Sequence, residues 1–166
     1  MPRQKTFSED AVAENAMKLF WKNGFHQTSI QDLVKTLGVN RASLYDTYSD
    51  KVGLFKESFK CYRKTTKSNI ENIFKESKNV KTGFAKFTNF LIFDLLSEKN
   101  GCLISNCYSE LLPSKNKELE QILEETRLMW RDMAISLLEK AKLKNELNDN
   151  ISNIEDVAES LCIHIV

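Results

Sequence analysis

The sequence predicts an all-α protein: an N-terminal three-helix unit built around a helix-turn-helix, joined by one long helix to a second helical domain. Three observations carry that reading. Apolar residues recur at three- and four-residue steps along most of the chain. Only 2 Pro and 5 Gly occur among 166 residues, with Lys, Glu, Leu and Asn frequent. Between Thr28 and Phe55 the chain writes a helix, a three-residue turn and a second short helix. The domains are expected at 1–50 and 51–166, with a helix over 51–78 connecting them.

Ser8 is a plausible N-cap, and Val12, Ala16, Leu19 and Phe20 form the stripe of a first helix that stops at Asn23-Gly24. Phe25 follows as a core plug. Thr28 with Gln31 three residues later reads as a capping box for the second helix, which ends at Leu37 before Gly38. Gly38 supplies a residue free to take φ > 0 at the turn, and Arg41 to Thr47 is the third helix. Asp50 can cap a long fourth helix in which Leu54, Phe55, Phe59, Tyr62, Ile70, Ile73 and Phe74 recur at helical spacing up to Ser77-Lys78-Asn79. A fifth helix, about 81–97, is apolar nearly all round and is expected inside the second domain. Gly101 breaks the chain, Cys102 to Leu112 gives a short sixth helix, and Pro113-Ser114 turns it. A seventh helix is expected over 117–143. Asn153 can cap an eighth, whose stripe of Ile154, Val157, Ala158, Leu161 and Ile165 is still running at Val166. Either the sequence continues beyond this point or a partner covers that helix.

The second and third helices carry the chemistry. Leu33, Leu37, Val39 and Leu44 pack them together, which leaves Asn40, Arg41, Ser43, Asp46 and Thr47 outward on the third. Each of these side chains can hydrogen-bond a base edge or a phosphate. Arg41 can bridge guanine O6 and N7, Asn40 can reach a base or a phosphate, and Ser43 and Thr47 can touch base edges or a thymine methyl. Asp46 faces phosphate repulsion unless it accepts from cytosine N4 or neutralises Arg41. Thr28, Tyr45, Tyr48 and Lys51 are expected along the duplex backbone. Charge is distributed accordingly: residues 1–67 hold 12 Lys/Arg against 7 Asp/Glu, and residues 68–166 hold 12 against 16. Arg3 and Lys5 either reach an adjacent groove or belong to a tail.

These residues resemble the DNA-binding half of the tetracycline-repressor-like (TetR) family of bacterial transcription regulators. The resemblance runs from Phe7 to about Tyr62, through Ala16-Met-Lys-Leu-Phe20, Asn23-Gly-Phe25, Thr28-Ser-Ile30, Leu37-Gly-Val-Asn-Arg-Ala-Ser-Leu-Tyr45, Tyr48-Ser-Asp-Lys51 and Leu54-Phe55. Asp46 departs from the basic or aromatic residue often found there. Further on, Gly101-Cys-Leu-Ile-Ser-Asn106 followed by Glu110-Leu111 is similar to the start of helix six in one branch of that family. The resemblance implies a homodimer on a near-palindromic operator, assembled through the last helices, with Ile154, Val157, Ala158, Leu161 and Ile165 as contacts. It also implies a second domain that binds a small effector, with repression as the expected outcome. A small apolar or aromatic effector could sit among Phe74, Phe87, Phe90, Tyr108, Trp130 and Met133, with Asn89 or Asp94 as polar anchor; the same stripe is also what a plain core requires.

Cys102 follows Gly101 at the start of helix six, where a helix dipole can lower a thiol pKa, so a thiol-based oxidant or electrophile sensor is an alternative. Cys61, Cys102, Cys107 and Cys162 show no Cys-x-x-Cys spacing and read as free thiols. A helical ligand-binding or protein-interaction module without DNA binding is the other alternative, and Asp46 is what favours it. An enzyme is disfavoured: there is no His-Glu-x-x-His, no phosphate-binding Gly-rich loop and no Gly-x-Ser-x-Gly, and His26 and His164 fall in different expected domains. Neither a metal nor a cofactor is implied. With no signal-like segment and no long apolar run, a cytoplasmic protein without membrane association is expected.

Overall fold

A computed structural model describes residues 7–97, 100–148, 150–151 and 153–163; side chains 93–97 and 163 lie outside that description. The described residues form eight α-helices: α1 Glu9–Asn23, α2 Ile30–Leu37, α3 Arg41–Tyr48, α4 Lys51–Lys75, α5 Val80–Ser97, α6 Leu103–Leu111, α7 Lys117–Leu143 and α8 Ile154–Ile163. A 3-10 turn, Leu112–Ser114, follows α6 with Pro113 inside it. No described residue lies in a strand, so the fold is all-α. Among the described residues no helix is long and apolar enough to cross a membrane.

The helices begin and end where local chemistry dictates. The Ser8 side chain accepts from Ala11 N, Gly24 closes α1 at φ 81°, and Gly38 closes α2 in the left-handed region at φ 66°. The capping box of α2 is Ser29 with Asp32, one residue along from the expected Thr28 and Gln31. Thr28 instead turns inward, and its hydroxyl donates to Gly24 O at 2.6 Å. Asp50 accepts from Gly53 N at 2.7 Å, and Asn153 accepts from Glu155 N at 3.0 Å, so both act as the expected caps. Helix α4 stops at Lys75, short of residue 78, as Ser77 N bonds back to Phe74 O and Asn79 accepts from Thr82 N to start α5.

Contacts divide the chain into two units. The first runs up to Thr65 and includes Asn106–Ile122; the second comprises Thr66–Ser105 and Leu123 onward. This grouping differs from a division at residue 50, because the first turns of α4 fill the helix-turn-helix core. The Phe55 ring lies 5.2 Å from Phe20 edge-on, 5.0 Å from Phe25 and 4.6 Å from Phe59. Leu33, Leu44 and Leu54 are fully buried. In the second unit, Ile70, Trp130 and Cys162 form a buried cluster against which Phe74, Phe87, Met129, Met133 and Leu137 pack. Arg127 ties α7 to α8 through Glu159, and Glu146 accepts from Val80 N at the start of α5.

Helix α5 departs from its expected burial. Phe84, Phe87, Phe90 and Leu91 are half-buried and Ile92 is 48% exposed. An apolar helix surface specifies only that cover is favourable; it does not specify that the same chain provides it on every side.

Candidate nucleic-acid interface and interior cavity

Helix α3 is held by its inward residues and its cap. Leu44 and Tyr48 are buried, while Arg41 and Asp46 are exposed and Ser43, Tyr45 and Thr47 are half-buried. Asn40 is the N-cap, and its side-chain oxygen accepts from Ser43 N at 2.8 Å. The Arg41 guanidinium lies 5.5 Å from the centre of the Tyr45 ring, a cation-π distance that pre-sets the arginine beside the helix. The outward face thus offers an arginine, a carboxylate, two hydroxyls and a phenol within two helical turns. These are groups that read base edges and phosphates.

Three residues expected on the duplex backbone are internal braces. Thr28 is 0% exposed and bonded to Gly24 O. Tyr48 is 6% exposed; its hydroxyl donates to Glu9 O at 3.3 Å, and desolvation foremost, then Glu9, raises its pKa to about 12. Lys51 donates from Nζ to Phe25 O at 3.0 Å and Thr28 O at 3.1 Å, with the ammonium 4.4 Å from the centre of the Phe25 ring. Burial lowers the Lys51 pKa, partly opposed by Glu110. For Thr28 and Lys51 the physical reason is shared: the chain between α1 and α2 leaves carbonyls without helical partners, and these two side chains satisfy them, whereas Tyr48 reaches the carbonyl of Glu9 at the start of α1.

Glu110, from α6, was not singled out for this role by sequence spacing. Its carboxylate accepts from Phe25 N at 2.9 Å and His26 N at 2.6 Å. A Cβ on Gly24 would stand 2.9 Å from one of its oxygens, and the backbone there is already at φ 81°. The loop that supports α2 is therefore gripped twice, by an anion on its N–H groups and by a cation on its carbonyls. Only the fixed order Asn23-Gly-Phe25 with Glu110-Leu111 hinted at this pairing.

In the second unit a cavity of about 170 Å³ is lined by Ile70, Phe74, Phe84, Phe87, Thr88, Leu91, Trp130, Met133, Ala134, Leu137, Leu161 and Cys162. Four of the residues expected at an effector site, Phe74, Phe87, Trp130 and Met133, are brought together there. Phe90 is half-buried and Asn89 exposed, and neither lines the cavity. Tyr108 belongs to the first unit, and Cys102 is a half-buried free thiol just ahead of α6. The Asp94 side chain lies outside the described residues. Of the expected dimer contacts, Ala158 is fully buried within its own unit, while Leu161 is half-buried and lines the cavity. Ile154 and Val157 remain half-exposed, while Ile165, like His164, Arg3 and Lys5, lies outside the described residues.

Comparison with known proteins places this geometry. Residues 13–58 match the profile described as bacterial regulatory proteins, tetR family. Over 109 residues the chain is 34% identical to the HTH-type transcriptional repressor ComR of Escherichia coli (strain K12); the match covers 63% of this chain and about half, 52%, of that protein. It is 29% identical over 163 residues to the HTH-type transcriptional regulator YezE of Bacillus subtilis (strain 168), covering 97% of this chain and 84% of the relative. In fold it is similar to the TetR family regulator CifR, solved as a cysteine mutant with 26-bp double-strand operator DNA. The TM-score is 0.79 at 18% identity, over 98% of this chain and 85% of that one.

Proposed function

We propose that the chain is a ligand-responsive, DNA-binding transcriptional regulator of the TetR kind rather than an enzyme, in keeping with the matched regulatory profile and the regulators it resembles. It represses from a near-palindromic operator, binds there as a homodimer, and is released by a small apolar or aromatic effector. The observation that carries this reading is the outward face of α3: Arg41 exposed and stacked toward Tyr45, with Leu44 and Tyr48 turned inward to hold the helix. Arg41 reads guanine, Ser43 and Thr47 touch base edges, Tyr45 lies along the backbone, and Asn40 holds the helix start. Asp46 accepts from a cytosine amino group, which favours that base over the others.

One module of this size binds weakly, so two copies engage half-sites about 34–36 Å apart. Ile154, Val157 and Leu161 are the described apolar α8 positions that remain half-exposed for that pairing. Release runs through α4, which contributes Phe55 and Phe59 to the first unit and Ile70 and Phe74 to the cavity of the second. A coupling of about 1–3 kcal/mol changes operator affinity about five- to 150-fold. The ComR name supports repression and the CifR complex supports duplex DNA as partner, each as a property of that relative.

The test is selection of duplexes from a random pool with the purified chain, followed by titration across salt. A recovered near-palindrome, bound by two chains and losing affinity steeply as salt rises, supports the proposal. Failure to enrich any duplex at low salt would leave a helical interaction module as the better reading.

A further inference from the structure

The geometry points to a specific chemistry for the second unit's cavity: it takes a neutral, single-ring molecule bearing one hydrogen-bond acceptor, and the Trp130 indole N–H donates to that acceptor. This inference rests on the effector reading above and narrows it to a chemical class.

Trp130 is 6% exposed and lines the cavity, and its buried Nε1 has no acceptor among the described residues. An indole N–H can only donate, and a tryptophan this deeply buried ordinarily finds a partner. A donor left unmet beside empty space is a standing demand for an acceptor from outside the chain. The remaining surroundings set what else that molecule must be. The Phe87 ring lies 6.1 Å from Trp130, and Ile70, Phe74 and Leu137 close further sides, so most of the occupant must be apolar. Among the described residues no Asp, Glu, Lys or Arg lines the space, so none of them offers a counter-ion to a buried charge there. Thr88 already donates its hydroxyl to Phe84 O at 2.9 Å, and burial foremost keeps the Cys162 thiol protonated by raising its pKa. Among the nitrogen and oxygen donors of the described lining, the indole is the one left without an acceptor.

Size narrows the class further. The cavity holds about 170 Å³, and a protein cavity of about 150 Å³ accommodates one benzene ring. A single ring with a carbonyl or ether substituent fits.

Three planar probes of nearly one shape separate the possibilities: acetophenone, which carries the acceptor; α-methylstyrene, in which a methylene replaces the carbonyl oxygen; and benzoate, which carries charge. Each is titrated calorimetrically into the full chain and into Trp130→Phe, which keeps the aromatic bulk and loses the N–H. The expected result is that Trp130→Phe weakens acetophenone about tenfold and changes α-methylstyrene less than about twofold, with benzoate not bound. Equal weakening of the two neutral probes, no binding of either, or a preference for benzoate would overturn the assignment. If Trp130→Phe does not fold, the wild-type indole N–H resonances decide. The Trp130 signal must move with acetophenone and stay with α-methylstyrene, and the reverse or no movement overturns the inference. No DNA is present in these titrations, so a failed operator selection leaves their outcome intact. Trp130-dependent binding that does not release an operator would remove the effector reading while keeping this site.

Discussion

Among the described residues, the two units differ in whether they leave buried side-chain polar atoms unmatched. In the first, Thr28 and Ser58 are fully buried, and their hydroxyls donate to Gly24 O and Leu54 O; the Lys51 ammonium finds two carbonyls, and the Glu110 carboxylate finds two N–H groups. In the second, the Trp130 N–H is buried without an acceptor among the described residues, beside about 170 Å³ of unfilled space. Buried groups that are fully matched fix one arrangement, whereas an unmatched donor and a void leave room for a second. On the proposed function, a surface presenting α3 at a set angle would suit the first condition and an effector chamber the second.

That contrast can be broken most forcefully at Gly53. A Cβ there would stand 2.0 Å from the Tyr48 carbonyl oxygen, so Gly53→Ala forces backbone to move and is expected to cost about 3 kcal/mol in urea unfolding. An unchanged midpoint would mean the junction of α3 and α4 is looser than described. Next is Glu110→Ala, which strands the N–H groups of Phe25 and His26 and is expected to cost about 2 kcal/mol. Glu110→Gln should rescue little, because its amide offers one acceptor oxygen and presents donors to the second N–H; full rescue would show that the charge is irrelevant. Lys51→Met should lower stability by about 1 kcal/mol while leaving the salt slope of duplex binding unchanged. A shallower slope would return Lys51 to the phosphate backbone. Smallest in stability is Arg41→Ala, expected within about 0.5 kcal/mol of the parent, with its effect confined to a relaxed base preference in duplex competition. A folding defect there would mean Arg41 supports the fold.

Much of the architecture was legible because helix ends are written locally. Ser8, Gly38, Asp50 and Asn153 carry the cap chemistry at the positions where they were expected, and α7 runs from Lys117 to Leu143. The capping box slipped by one residue because Thr28–Gln31 and Ser29–Asp32 both satisfy the pattern, and only burial distinguishes them. The braces were harder for a different reason. A lysine or threonine near a helix start looks like a phosphate contact until the loop carbonyls that attract it are known, and Glu110 acts on a residue 85 positions away. Periodicity indicates which face of a helix turns inward, as with Phe74 and Trp130. It does not reveal whether the interior that results will be filled or which unit a stripe will serve: Ala158, expected at a dimer contact, is buried in its own unit, and Leu161 lines the cavity.

The meeting of Gly24 and Glu110 has a consequence for descent. Position 24 combines φ 81°, which strains any side chain, with a carboxylate oxygen 2.9 Å from where that side chain would begin, so a mutation there also pushes the Glu110 carboxylate off the amides it holds. Two codons far apart in the gene would thus be inherited as a linked pair. Lineages that abandon glycine at the first should have shortened the acid at the second, and a chimera that mixes the two solutions would carry either a clash or two stranded amides.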